Sequence, residues 1–117
     1  MLSQAAEYYT LVGDTFAEAS DALGYDLWAL VSQGPEDQLT LTEFTQPAIL
    51  TASVALYRCW EQEGGQRPEF VAGHSLGEYS ALVSVRSTAK WTALAAGLPR
   101  VCSSRSCNCL RVGLAGM

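Results

Sequence analysis

One short segment, residues 73–77 (GHSLG), constrains the fold more than any other part of this 117-residue chain. An apolar run at 69–73 precedes it and predicts a buried strand, typical of the centre of a parallel sheet, and residues 76–83 predict a following helix. A G-x-S-x-G pattern between a strand and a helix requires the chain to reverse sharply. Side chains at residues 73 and 77 would collide in such a turn, which explains the two glycines. We expect the Ser75 hydroxyl to be exposed at the end of the strand. The alternative is a glycine-rich turn with a structural serine.

The residues before this segment predict helices. Apolar side chains recur at spacings of three and four between residues 5 and 23, which indicates one amphipathic helix or a helix pair interrupted near Gly13. We expect Gly24 to end this helix and Asp26 to cap a short apolar turn after it, Leu27–Val31. A second long helix is expected to begin near Pro47, whose fixed φ suits a first helical turn. The order helix, strand, tight turn, helix predicts an α/β fold.

Charge divides the chain into two parts. Two basic and twelve acidic residues give residues 1–83 a net charge of −10, whereas five basic and no acidic residues give residues 84–117 a charge of +5. Such a reversal of charge usually marks a domain boundary or a basic tail. We interpret residues 84–117, which contain a Cys/Ser/Arg cluster and predict no further strand, as an aberrant, out-of-frame continuation. A genuine basic tail is the alternative.

Composition also excludes several classes of function. The overall charge of −5 argues against binding to nucleic acid or to an anionic membrane, because phosphates require a basic surface. The sequence has no apolar stretch long enough to span a bilayer, and its start lacks the pattern of a secretory signal. Four cysteines in such a chain are expected to be reduced thiols. The cytoplasm is therefore the expected location.

The segment extended to residues 73–82 (GHSLGEYSAL) closely resembles the nucleophile elbow of malonyl-CoA:acyl carrier protein transacylases. Residues 16–30 and 45–57 resemble the same acyltransferase family, in the same order along the chain. The resemblance covers residues 5–83. It implies that residues 1–83 are a partial acyltransferase domain with an α/β-hydrolase-like core, and that the family's small ferredoxin-like domain is absent.

The resemblance implies a two-step acyl transfer. A serine hydroxyl attacks the malonyl thioester of coenzyme A, and the phosphopantetheine thiol of acyl carrier protein then takes the malonyl group from the serine. In this chain the matching groups are Ser75 as the nucleophile and the backbone N–H of Leu76 as an oxyanion donor. Malonyl-CoA is then the substrate and acyl carrier protein the partner, and neither a cofactor nor a metal is expected.

Other parts of the family's machinery have no match in this sequence. The strand and glycine–glutamine loop that supply a second oxyanion donor are expected ahead of residue 1, and the histidine base beyond residue 117. Arg100 has the offset of the family's malonate-binding arginine, but Pro99 does not suit the helix expected there, so we expect an exposed charge instead. We therefore expect an incomplete chain that is weakly active or inactive.

Three weaker candidates have structural interpretations that we favour. His74, the only histidine, precedes Ser75 on a strand end where neighbouring side chains point in opposite directions, so we expect packing or a hydrogen bond rather than a base. Gln46 matches a family element near the active-site cleft, and we expect a structural hydrogen bond. Zinc binding is not expected of the three thiols that lack paired spacing and a nearby histidine, Cys102, Cys107 and Cys109.

Acyl transfer is thus the leading hypothesis. The alternatives are a serine hydrolase or esterase of the α/β-hydrolase type, which also uses G-x-S-x-G, and a non-catalytic fragment. The residues that follow the elbow, Glu78-Tyr79-Ser80, favour transfer over hydrolysis.

Overall fold

The computed structural model describes residues 2–68, 70–74, 76–86 and 107–111. This part of the chain contains six helices and two strands, in the order α1 (Ser3–Tyr8), α2 (Thr10–Leu23), α3 (Leu27–Gln33), α4 (Glu36–Leu39), α5 (Thr42–Gln62), β1 (Phe70–His74), α6 (Leu76–Arg86) and β2 (Cys107–Arg111). The order helix, strand, turn, helix expected from the sequence is confirmed, although helices predominate. None of these helices combines the length and apolar character that a membrane span requires.

The helix pair at the N-terminus is interrupted at Tyr9 and not at Gly13. Tyr9 has an extended backbone (φ −127°, ψ 112°) between α1 and α2, whereas Gly13 lies inside α2. Glycine costs only about 1 kcal/mol in a helix interior. The buried residues of α2 on both sides of Gly13, Val12 and Phe16, pack in the core and offset that cost.

The expected signals at the end of α2 are confirmed. Gly24 adopts the left-handed conformation (φ 82°), and its N–H donates to the Ser20 carbonyl at 2.9 Å. The Asp26 carboxylate then accepts a hydrogen bond from the Ala29 N–H at 3.0 Å and caps α3. Both residues satisfy backbone groups that a helix end leaves without partners.

The long helix α5 begins at Thr42, five residues before Pro47, so the predicted start near Pro47 is too late. Proline has no N–H and interrupts the hydrogen-bond ladder of a helix. Here Pro47 is fully buried, and packing offsets that loss. The Thr45 hydroxyl contacts the carbonyls of Leu39 and Leu41, which ties the first turn of α5 to the preceding segment.

The core lies mainly between α2 and α5, with α3 and α6 packed beside them. Its largest fully buried side chains include Phe16, Leu27 and Leu50. A polar contact joins the two central helices at their edge, because Arg58 Nη1 on α5 donates to the Glu18 carboxylate at 2.9 Å and to the Thr15 hydroxyl at 3.1 Å on α2.

The two strands form an antiparallel pair, with Phe70 opposite Arg111 and Gly73 opposite Asn108. Two expectations are therefore wrong. Strand β1 is not buried on both faces, since the Phe70 side chain is 57% exposed. Residues 84–117 do contribute a strand, whose sequence CNCLR shows little of the apolar alternation by which strands are recognised.

Candidate active site at the strand-to-helix turn

The G-x-S-x-G segment joins β1 directly to α6. Strand β1 ends at His74, one residue later than predicted, and α6 begins at Leu76, as predicted. Ser75, the expected nucleophile, lies outside the described residues. The geometry of the turn therefore comes from the residues on either side of it.

The two glycines of the segment have different roles. A Cβ atom added to Gly73 would overlap the carbonyl group of Gly77 and the backbone nitrogen of Glu78. The end of β1 and the first turn of α6 thus approach so closely that only glycine fits at residue 73. A Cβ atom on Gly77 would meet no described atom within 4 Å, so the expected collision there is wrong.

The start of α6 offers hydrogen-bond donors. Leu76 is the first residue of this 11-residue helix, and the first four N–H groups of a helix have no acceptor within it. The positive end of the helix dipole favours negative charge at the same place. A carbonyl oxygen that becomes negative during acyl transfer would be stabilised by such donors.

Packing against α5 holds α6 in position. Leu76 and Tyr79 contact the core cluster, and Ala81 and Val83 are 7% and 8% exposed. Packing against the core therefore fixes the position of the Leu76 backbone N–H, as a preorganised site requires.

Two of the weaker candidates do not have their expected environment. His74 has an exposed side chain at the end of β1, which contradicts packing, whereas the hydrogen bond that was the other expectation stays a prediction. The Gln46 Oε1 atom is buried, and no described residue supplies the hydrogen bond that we expected for it. A buried acceptor of this kind usually has a partner, which marks Gln46 as a side chain to examine by substitution.

Of the remaining candidates, Cys107 lies beside this site, opposite His74 in the pairing of β1 with β2. Arg100 and Cys102 lie outside the described residues, and Cys107 and Cys109 belong to β2. Among the residues whose side chains the structure describes, no group of three potential metal ligands occurs.

A separate concave surface, which we call the α2–α3 cleft, was not expected from the sequence. It has a volume of ≈ 640 Å³, is largely open to solvent, and has a lining that includes Asp21, Tyr25, Asp26 and Trp28. Its other walls are small residues such as Gly13 and Ala17, which carry no chemical signal in a sequence. None of the described residues of the strand-to-helix turn lines it.

Comparisons with known proteins place this geometry in context. The acyl transferase domain family matches residues 13–105. The malonyl CoA-acyl carrier protein transacylase of Escherichia coli K12 is 66% identical over 83 residues, which are 71% of this chain and 27% of that protein.

Solved structures agree with that match. An acyl carrier protein S-malonyltransferase from Vibrio cholerae superposes with a TM-score of 0.77 at 54% identity, over 81% of this chain and 31% of its own. A malonyl-transacylase in complex with a type II PKS acyl-carrier protein also has a TM-score of 0.77 at 54% identity, over 82% of this chain and 32% of its own.

The chain spans only about a quarter to a third of the length of these relatives. Its described part has the fold of a fragment of their acyltransferase structure. The family match extends over well more than half of the sequence. The chain therefore belongs to the acyl transferase domain family.

Proposed function

We propose that this chain carries the nucleophile elbow of a malonyl CoA-acyl carrier protein transacylase, with Ser75 as the nucleophile. The observation that carries the proposal is the close approach of Gly73 to the backbone of Gly77 and Glu78. A turn this tight between a strand and a helix is the structural context that a G-x-S-x-G nucleophile requires. The names of the relatives supply the substrate class.

The proposed reaction has two steps. The Ser75 hydroxyl attacks the malonyl carbonyl carbon, the C–S bond of the thioester breaks, and coenzyme A leaves as a thiol with the serine proton. The thiol of the carrier protein then attacks the serine ester, the C–O bond breaks, and the proton returns to Ser75. The N–H of Leu76 donates to the carbonyl oxygen while it carries negative charge in each step.

Acyl carrier protein is the proposed partner, because one solved relative is a complex with such a protein. No cofactor takes part in this scheme, with malonyl-CoA as a substrate. We further propose that the core is α/β-hydrolase-like and that the acyltransferase part of the chain ends at residue 83. The proposed location is the cytoplasm.

We also propose that turnover by this chain is slow. His74 is its only histidine, and its position on β1 next to residue 75 does not suit a base for the serine. Loss of the histidine base costs on the order of 10⁴ or more in rate. Labelling of the serine can then be observed even where repeated transfer is negligible.

The test is covalent labelling of the 117-residue chain with isotopically labelled malonyl-CoA, followed by peptide mapping by mass spectrometry. We expect a malonyl ester on Ser75 and its loss in Ser75→Ala. Ser80→Ala is the matched control, because Ser80 lies on α6 beyond the turn, and this variant should keep the label. A label that persists in Ser75→Ala would overturn the assignment.

A second pair of substrates separates transfer from hydrolysis. We expect transfer from malonyl-CoA to holo acyl carrier protein to exceed hydrolysis of p-nitrophenyl acetate, each relative to its reaction without protein. Faster hydrolysis would support the esterase alternative, and no reaction with either substrate would support a non-catalytic fragment.

A further inference from the structure

One face of the β1–β2 sheet is open to solvent. Along β1 the residues Phe70, Ala72 and His74 are exposed, whereas Gly73 between them is buried. Successive residues of a strand belong to opposite faces of a sheet, and every second residue belongs to the same face. The face that carries Ala72 and His74 is therefore the one directed away from the core.

The register of the pair places two cysteines on this open face. Cys107 lies opposite His74, and Cys109 lies opposite Ala72. Residues directly opposite each other in an antiparallel pair belong to the same face, with Cβ atoms typically about 4.5–5.5 Å apart. Positions 107 and 109 are two steps apart on one strand, a rise of about 6.6 Å. His74, Cys107 and Cys109 therefore share one face at adjacent register positions.

Strand pairing supplies what the sequence alone lacked for a metal site. Zinc binding was not expected because the cysteines have no paired spacing and no histidine near them. The pairing brings His74 opposite Cys107, although the two residues are far apart in the sequence. The spacing of Cys107 and Cys109 is also suitable on a strand, because residues two apart share a face there.

The three residue types carry the donor atoms that zinc prefers. Zinc binds Cys sulfur at about 2.3 Å and His nitrogen at about 2.0–2.1 Å, in tetrahedral geometry. Thiolate and imidazole ligands favour zinc over Mg²⁺ and Ca²⁺, which bind oxygen. Three protein ligands leave a fourth position for water. Ala72, the remaining residue of this group of four, has only a methyl side chain and leaves room for an ion.

We propose that His74, Cys107 and Cys109 bind a zinc ion on the open face of the β1–β2 sheet. The ion joins the two strands across their pairing. Because the pairing exists only in the folded chain, binding of zinc also stabilises it. None of the three residues takes part in the two steps of the proposed acyl transfer, so the site is separate from that reaction.

The test is titration of the full chain, with its thiols reduced, first with Co²⁺ and then with Zn²⁺. Tetrahedral Co²⁺ bound by thiolates absorbs in the visible and near ultraviolet, so its spectrum reports the ligands, and zinc should displace it. We expect one ion per chain and a Kd for zinc of about 1 μM. His74→Ala, Cys107→Ser and Cys109→Ser should each weaken binding by about 100-fold or more.

The matched control moves a thiol to the other face without changing the number of thiols. Cys107→Ser/Asn108→Cys shifts one cysteine by a single position on β2, and neighbouring positions belong to opposite faces. We expect this variant to bind zinc as weakly as Cys107→Ser does. Cys102→Ser, which removes a thiol outside the group, should bind zinc as the parent chain does.

Hydrogen exchange gives a second measurement. Zinc should increase the protection of amides in β1 of the parent chain and leave them unchanged in Cys107→Ser. Circular dichroism should show unchanged helices in His74→Ala, because His74 is not part of the core cluster.

Two results would overturn the proposal. One is a cobalt spectrum without thiolate absorption, and the other is undiminished zinc binding in the variant with the shifted cysteine. Ser75→Ala should bind zinc normally, so the outcome of this test is independent of the proposed acyl transfer.

Discussion

Alanine at Gly73 is the substitution that tests the proposed elbow most directly. A β-carbon at this residue would overlap three backbone atoms of the first turn of α6, all closer than Cβ atoms approach other heavy atoms in proteins. Backbone atoms cannot rotate away as a flexible side chain can. Accommodation therefore requires β1 and α6 to separate, and Leu76 to lose its contact with the core.

The magnitude follows from two opposing effects. Overpacking of this kind costs about 1–3 kcal/mol or more. Alanine gains about 0.4–1 kcal/mol from the lower entropy of the unfolded chain, but only where the native conformation accepts it. Because the overlap denies alanine that gain at Gly73, we expect a net loss of about 1–3 kcal/mol for Gly73→Ala. At Gly77 the added Cβ meets open space in a helix, so Gly77→Ala should be neutral or stabilising by up to about 1 kcal/mol.

Urea denaturation followed by circular dichroism gives the change in free energy of unfolding for both variants. Hydrogen exchange in β1 and α6 shows whether the loss is local, and malonyl labelling shows whether the serine still reacts. We expect Gly73→Ala to lose protection and label, and Gly77→Ala to keep its protection. Equal stability of Gly73→Ala and the parent chain, or an equal loss in both variants, would refute the argument from close approach.

Three further predictions concern the helical part. Arg58→Ala should lower the free energy of unfolding by about 1 kcal/mol, mainly through loss of the hydrogen bond to the buried Thr15 hydroxyl. Because the ion pair with Glu18 is half-exposed and contributes less, this loss should depend little on salt, as urea titrations at low and high salt would test. Asp26→Ala should cost about 1 kcal/mol and Asp26→Asn a few tenths, measured in the same way. Burial and, to a smaller extent, the Glu63 carboxylate raise the pKa of the Cys59 thiol, so that less thiolate is present at neutral pH. Alkylation of Cys59, followed by mass spectrometry, should therefore be slower in the folded chain than in the unfolded chain.

Features that depend on adjacent residues could be predicted from the sequence. Gly24 and Asp26 act within one turn of the chain, and both were assigned correctly. The strand-to-helix transition at residues 73–77 was also predictable, because the glycine pattern and the flanking apolar runs are contiguous. The nucleophile assignment at Ser75 stays a prediction.

Features that depend on distant partners could not be predicted in this way. Pairing of β1 with Cys107–Arg111 rests on backbone hydrogen bonds, which carry no side-chain signal. The burial of Pro47 inside α5 depends on the helices around it and outweighs the local preference for a first turn. The α2–α3 cleft is formed by side chains whose types are ordinary and whose arrangement alone is distinctive.

The pairing of β1 with β2 has a consequence for the order of folding. The paired residues are about 30 to 40 positions apart in the chain, whereas contacts among α1 to α4 span short separations. Closing a long loop must precede any gain from the strand contacts, which makes such pairings slow. Helices α1 to α4 should thus acquire protection from hydrogen exchange first, and β1 later, together with the packing of α5 on α2, which also joins residues 40 and 43 positions apart. Refolding experiments with pulsed deuterium labelling would then show the residues beside the proposed nucleophile among the last to become ordered.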